Sequence, residues 1–447
     1  RPSMRHGFRK TMAALVFGLL AKRLGLSPII GYLIAGIVIG PYTPGISGDP
    51  VIASQLAEIG VILIMFGVGL HFRLKDLLAV KSIAIPAAIG LSFAATVACT
   101  VIVVIAGWSW QEGVVFGIAI SVASTVVLFR SLLDMGLLDT PEGHVAVGWL
   151  VVEDIITVLV LVLLPPLAVR AGGEAGILKT VGIALVKLVV LTVIMMIAGA
   201  RFVPHLLLRV ARLRSRELFT LTVLVMAISV ATVSYLAFGA SMALGAFLAG
   251  MVVGQSKVSH QAAADALPLR DAFAVLFFVA IGMLFDYRTV LDMPFLVIGI
   301  VAVIIIVKPV AALINTLISG YSLRTSLTVA GGLAQIGEFS FILAALAVSL
   351  NLIPGESHNV LVAGAIISIS LNPWIFRSFL ALEPRLNRIG WLNSFIEMRG
   401  GRSVAKANLK AIEHEPKPSG VRSIVVGYGP VGQNITKILY EFGIEPT

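Results

Sequence analysis

The chain has 447 residues, 58% of them apolar and only 13% charged, with a mean hydropathy of +1.02. Soluble domains run at about 45–50% apolar and roughly 25% charged, so an ordinary soluble enzyme or binding module is excluded. The net charge of +10 points to no nucleic-acid partner, because the basic residues gather in alternate loops, as they do on the inner side of membrane proteins.

Runs of about 20 apolar residues, the length a helix needs to cross a bilayer, recur along the chain. They predict an all-α polytopic membrane protein with thirteen segments, near 11–24, 28–43, 51–71, 82–107, 112–133, 143–164, 175–200, 216–236, 240–255, 269–285, 293–319, 323–350 and 357–381. One set of loops holds Lys22 and Arg23, Arg73 and Lys75, the arginines between Arg201 and Arg216, Lys257 and Arg270, Arg324, and Arg385 and Arg388. The other set, with GPYTPGISGDP, GWSWQ, AFGA and NLIPGESH, is almost free of Lys and Arg. The bias puts the C-terminal part in the cytoplasm and the N-terminus outside. The opening RPSMRHGFRK is basic on the predicted outer side, and the apolar run after it is half a span. The first helix is therefore expected to start upstream, or this start is not the native one; the alternative is a short, tilted first helix.

Two stretches echo each other. In SPIIGYLIAGIVIGP (27–41) and SMALGAFLAGMVVGQ (241–255), Ser27, Gly31, Ala35, Gly36, Val38 and Gly40 match Ser241, Gly245, Ala249, Gly250, Val252 and Gly254. The register continues from IMFGVGLHF (64–72) to FFVAIGMLF (277–285), where Gly69 aligns with Gly282. An offset of seven segments inverts the second copy, and inverted repeats are the architecture of secondary transporters, with the ion site at mid-membrane. Close helix packing alone explains the glycines and alanines, but not their repetition. A similar offset carries ISVASTVVLF (120–129) onto GGLAQIGEFSF (331–341). Both interrupt apolar spans with polar residues, so segments 5 and 12 are predicted to be broken helices that cross.

Charges stand at the middle of two other segments: Glu153 and Asp154 in segment 6 and Lys308, followed by Pro309, in segment 11. A charge at that depth costs at least about 2.5–3.5 kcal/mol and usually marks an ion pathway. The competing structural reading is an ion pair between segments 6 and 11. Adjacent helical residues point about 100° apart, so one acid can pair with Lys308 while the other faces a cavity. Neighbouring acids disfavour double ionisation, which makes one a natural proton acceptor. A carboxylate that holds either a proton or a cation is the minimum chemistry of exchange. Gln335 and Glu338 in the break of segment 12 fit helix-end stabilisation as well as ion contact. Ser121, Ser124 and Thr125 can lend oxygen ligands or bond back to their own helix. Asn372, before Pro373, reads as a helix cap. His71, His144 and His205 read as interfacial, no His/Cys set has metal-ligand spacing, and no nucleophile–base pair marks an enzyme.

The motifs SPIIGYLIAGIVIGP, EIGVILIMFGVGL, MALGAFLAGMVVG, FFVAIGMLFD and GGLAQIGEFSFIL resemble the monovalent cation:proton antiporter-2 family, which contains the Kef-type potassium efflux proteins and a YbaL-like branch. The resemblance spans residues 27–381. It implies thirteen helices in two inverted repeats, a homodimer in the bacterial inner membrane, and a moving core domain against a fixed dimerisation domain. It also matches Asp154 to the family's essential ion-binding aspartate, Glu153 to the variable polar position before it, and Lys308 to the basic residue that can neutralise that position. Kef-type members carry Gln before the aspartate, so Glu153 is a departure, and glutathione gating does not transfer.

Three parts are therefore expected: an exchanger domain over 1–381, a linker over 382–420 and the start of a regulatory domain over 421–447. The last, with VVGYGPVGQ, resembles nucleotide-binding domains attached to potassium transporters. Gly427, Gly429 and Gly432 fit a GxGxxG turn that would hold NAD(H) or an adenine nucleotide. The acidic residue that accompanies such a turn is expected beyond Thr447. No cofactor is expected to be required for transport. The resulting reading is a secondary transporter exchanging protons for K+ or Na+, potassium favoured, in the lipid bilayer. The alternatives are a ligand-gated K+ efflux channel, an organic-anion symporter and, least supported, a membrane oxidoreductase.

Overall fold

The computed structural model describes residues 14–44, 49–71, 74–138, 140–168, 193–238, 241–256 and 258–390, with five positions between 182 and 191 and six between 422 and 446. The chain divides into two compact units, 1–392 and 393–447.

The first unit is helical. Segment 1 is the helix 14–23, segment 2 Pro28–Ile39, segment 3 Pro50–His71 and segment 4 Leu74–Ile105. Segment 5 is two half-helices, Trp110–Ser121 and Thr125–Asp134, and segment 6 is Pro141–Ala168. Segment 7 ends in a π-helical turn, Met195–Gly199, followed by Ala200–Ala211. Segments 8, 9 and 10 are Arg216–Phe238, Met242–Gly254 and Ser259–Met283. Segment 11 runs as Pro294–Ala302, a π-helical turn Val303–Val307, and Lys308–Ile318. Segment 12 is again two half-helices, Leu323–Gly332 and Glu338–Ser349, and segment 13 is Ser357–Leu386. Among the described residues, seven helical stretches are long and apolar enough to cross a membrane on their own.

Local chemistry sets the starts and breaks. Ser109 and Glu112 form a reciprocal capping box before segment 5, the Ser109 N–H donating to Glu112 Oε2 at 2.7 Å, so two orphan donors of the first turn are satisfied. Pro309 has no N–H to give to the turn before it. The ladder there is π-helical, with the Lys308 N–H reaching the Val303 carbonyl.

Segments 4, 10 and 13 begin or end several residues outside the apolar runs that predicted them, and segment 7 continues through Pro204 to Ala211. Hydropathy marks where all faces are apolar. A helix end with one wet face, such as the one carrying exposed Arg201 and His205, keeps its hydrogen-bond ladder without that signal. A short helix, Tyr287–Asp292, with its N-cap side chain from Asp286, is an addition.

The segments pack as two bundles. Segments 2 and 3 pack against segments 9 and 10, with 8 beside 9; segments 4, 5 and 6 pack against 11, 12 and 13. Each bundle thus draws on both halves of the chain. In the first bundle the repeated glycines are the contact points. A Cβ on Gly36 would sit 2.8 Å from Gly282 Cα, and one on Gly250 would sit 3.0 Å from Gly69 Cα. The pairs Gly36–Gly282 and Gly250–Gly69 exchange into each other under the sequence echo. The same exchange carries Gly40 against Met283 onto Gly254 against Leu70. The packing reading and the repeat reading of these glycines are therefore one fact: a close crossing made twice by a twofold relation between the halves.

In the second unit, Arg422 and Ser423 pair in parallel with Glu445 and Pro446. The expected linker, apart from its first positions, and the glycines Gly427, Gly429 and Gly432 lie outside the described residues.

Candidate ion site at the helix crossing

Segments 5 and 12 lose their helical ladders within an apolar interior. The chain is extended over Val122–Ser124 and irregular from Leu333 to Gly337. The two breaks touch. A Cβ on Gly337 would lie 2.7 Å from the Ala123 carbonyl oxygen and from Ser124 Cα, so only glycine lets the strands pass this closely.

Unwinding frees backbone groups that must find partners where no water is at hand, and polar side chains from both repeats supply them. Gln335 reads the backbone of Ser124 twice, accepting its N–H at 2.9 Å and donating to its carbonyl at 3.1 Å. Ser340 Oγ donates to the Val122 carbonyl at 3.3 Å. Ser124 Oγ accepts the Val127 N–H, capping the second half-helix of segment 5, and donates to Glu338 Oε2 at 3.1 Å.

The charges follow the helix ends. Half-helices ending at Ser121 and Gly332 bring the negative ends of their dipoles to the crossing, while those starting at Thr125 and Glu338 bring positive ends. Lys308 Nζ meets the negative side, donating to the Gln335 carbonyl at 2.7 Å and the Val122 carbonyl at 3.3 Å. Glu153 meets the positive side, accepting the Ala123 N–H at 3.1 Å, with its other oxygen held by Trp149 Nε1 at 2.8 Å. Glu338 is the first residue of its own half-helix.

The direct ion pair considered for Lys308 is not formed. Among the described residues, no contact of 4.0 Å or less joins its ammonium to a carboxylate. Two carbonyls of the crossing hold the ammonium directly, and Glu153 interacts with it electrostatically across a longer distance.

Asp154 differs from its neighbour. Glu153 is 2% exposed and has both carboxylate oxygens occupied. Asp154 is half-buried, its Oδ2 receives only a long bond from Thr125 Oγ1 at 3.4 Å, and its buried Oδ1 has no hydrogen-bond partner. Buried polar atoms are nearly always paired, and an exception calls for an explanation. Lys308 interacts electrostatically with Glu153 and Arg270 with Glu338, while the charged neighbours of Asp154 are those two acids, so three carboxyls face two cations.

The remaining sequence candidates divide. Ser121 Oγ bonds back to the Ile118 carbonyl of its own helix at 2.8 Å, the self-satisfying alternative. It lines, with Glu153 and Thr157, a largely apolar cavity of about 510 Å³ between segments 4, 5 and 6. Asn372 is not a cap. It lies inside continuous segment 13, donates to the Gly331 carbonyl at 3.1 Å and accepts from Ser131 Oγ at 3.1 Å, tying segments 5, 12 and 13 together. Pro373 is accommodated within that helix. His144 and His205 donate through Nδ1 to the Thr140 and Arg201 carbonyls of their own helices at exposed positions; the side chain of His71 lies outside the described residues. Among the described residues, no His, Cys, Asp and Glu group has the arrangement of a metal site. Trp149 was missed, whereas Ser340 was read with Gln335 and Glu338 as part of the break in segment 12. Trp149 stands four residues before Glu153, one helical turn away, and that spacing was the available signal.

Paired broken helices crossing inside a membrane bundle, with acids and a lysine at the break, define a secondary ion transporter. Comparison with known proteins gives the family. The model of the sodium/hydrogen exchanger transmembrane family matches residues 11–382. YbaL of Escherichia coli (strain K12), provisionally named a cation/proton antiporter, is 47% identical over 426 residues, covering 94% of this chain and 74% of that protein. KefB of Alkalimonas amylolytica, provisionally named a K+ efflux antiporter, is 29% identical over 94% of this chain and 62% of its own length. The solved sodium proton antiporter MjNhaP1 of Methanocaldococcus jannaschii shares the fold at a TM-score of 0.59 and 16% identity, over 85% of this chain and all of that one. The chain belongs to the sodium/hydrogen exchanger family, a family of proton-coupled transporters and not of enzymes.

Proposed function

We propose that this protein exchanges protons for monovalent cations, potassium favoured over sodium, with Asp154 as the shared carrier. The observation that carries the reading is the contrast between adjacent acids. Glu153 is fully engaged in holding the crossing, whereas Asp154 keeps one buried oxygen unpartnered beside Thr125 and near Glu338. A carboxylate with a spare oxygen can bind a cation or a proton, and a bound proton displaces the cation. Potassium is favoured because relatives matched along most of the chain, from bacteria and from Arabidopsis thaliana, are named as K+ efflux antiporters.

On this reading the bundle of segments 4–6 and 11–13 carries the site and shifts against the bundle of segments 1–3 and 8–10, alternating its exposure. The chain crosses a bacterial inner membrane thirteen times with the N-terminus outside, and two copies form a homodimer. The parallel pairing of Arg422–Ser423 with Glu445–Pro446 supports a strand–helix–strand start to a regulatory domain, because parallel strands need a crossover. Gly427, Gly429 and Gly432 would face a regulatory nucleotide there.

The test uses proteoliposomes with an internal pH probe, given potassium or sodium pulses separately. Saturable proton movement on potassium pulses, weaker on sodium, is the expected result. Cation flux without proton movement would favour a gated efflux channel and overturn the exchange reading.

A further inference from the structure

A second polar site lies away from the crossing, where segment 7 ends and segments 8 and 10 begin. Asp265, on segment 10, has a side chain only 5% exposed and joins Arg216 Nε of segment 8 at 2.8 Å through Oδ1. Its other oxygen, Oδ2, is buried and has no hydrogen-bond partner. Asp265 is also part of the wall of a cavity of about 260 Å³, with Arg214, Ser215, Arg216, Gln261 and Ala211. A buried carboxylate oxygen without a donor, on a residue that lines a polar cavity, asks for one.

The cavity's charges narrow the donor. Arg216 is already balanced by Asp265, so Arg214, held in the left-handed region at φ 54°, leaves one positive charge for an anion. A ligand with an anion and an N–H cation a few bonds apart satisfies both. Below the cavity, segment 8 presents a stripe of exposed apolar side chains, Leu218, Leu221, Val225 and Ile228, spaced to share one helix face. Polar groups at a helix start above an exposed apolar stripe match a headgroup above its acyl chains.

We propose that this cavity binds a phospholipid with a phosphoethanolamine headgroup. Its phosphate lies against Arg214 and Ser215, its ammonium donates to Asp265 Oδ2, and its acyl chains run along the stripe on segment 8. Choline lipids fit the phosphate half only, because a quaternary ammonium has no N–H. Glycerol headgroups bring no cation.

The experiment is lipid retention by the purified full chain, read by native mass spectrometry after incubation with dioleoyl phosphatidylethanolamine, phosphatidylcholine and phosphatidylglycerol at equal mole fractions. Wild type is expected to retain the ethanolamine lipid about tenfold over the choline lipid, the scale of one charged hydrogen bond. Asp265→Asn should abolish that preference. Arg214→Gln, which breaks no bond described above and serves as the control that folds, should weaken all three lipids while keeping the ethanolamine-to-choline ratio. Equal retention of ethanolamine and choline lipids by wild type would overturn the proposal, as would an unchanged ratio in Asp265→Asn. Release of the bound lipid by equimolar soluble phosphoethanolamine would overturn the lipid assignment in favour of a small solute.

Discussion

The molecule makes the same kind of crossing in two chemistries. In the first bundle, segments 2 and 10 and segments 3 and 9 cross on glycine, with every helix continuous and no charge at the contact. In the second, segments 5 and 12 cross with both helices broken, and the freed backbone is held by Gln335, Ser124, Ser340, Lys308 and Glu153. Both come from the same repeat. Glycine crossings satisfy every backbone group within its own helix, so they are inert and close. The broken crossing exchanges that self-sufficiency for four helix ends whose partial charges can face an ion. One bundle is thereby suited to be a frame and the other a carrier.

Substitutions that erase the polar side of this comparison should do most damage. Lys308→Met leaves two buried carbonyls and nearby acids without their cation, and should cost about 3–5 kcal/mol, read as a lost or much lowered unfolding midpoint of the purified protein. Survival of a well-folded Lys308→Met with normal exchange would remove the lysine from the account. Gln335→Leu strips both bonds to Ser124 from a fully buried site. It should cost about 2–3 kcal/mol and reduce exchange, whereas Gln335→Glu should retain the acceptor half and fall between.

The glycine side is sharpened by symmetry. Gly36→Ala and Gly250→Ala each push a methyl into the facing backbone, and each should lower stability by about 1–3 kcal/mol. The two losses should be similar, because the contacts are copies; a large inequality in their melting curves would speak against the twofold packing. The smallest effect belongs to Trp149→Phe, which removes one donor from Glu153 while its other bond to Ala123 remains. It should cost about 1 kcal/mol and leave cation exchange measurable in vesicles.

Much of this was legible in the sequence because it rests on residue type. Glycines at matched offsets, polar interruptions in segments 5 and 12, and isolated charges in segments 6 and 11 all leave marks in a hydropathy profile. What was not legible rests on the backbone. Lys308 was weighed as a partner for Glu153, since carboxylates are visible in sequence and unwound carbonyls are not. Asn372 looked like a cap because Pro373 follows it, yet neighbouring segments support the helix through that proline. Which of two adjacent acids is engaged depends on which faces Ala123 and Trp149, and that rotation about segment 6 is fixed only by packing.

The central claim is that Asp154, and not Glu153, changes partners between proton and cation. The most direct test is proton release on addition of potassium to the purified, detergent-solubilised protein, a binding step that needs neither turnover nor a membrane gradient. Wild type and Glu153→Gln should both release protons saturably, and Asp154→Asn should release none while keeping its unfolding midpoint. Undiminished release from a well-folded Asp154→Asn would contradict the account and move the carrier to Glu153 or Glu338.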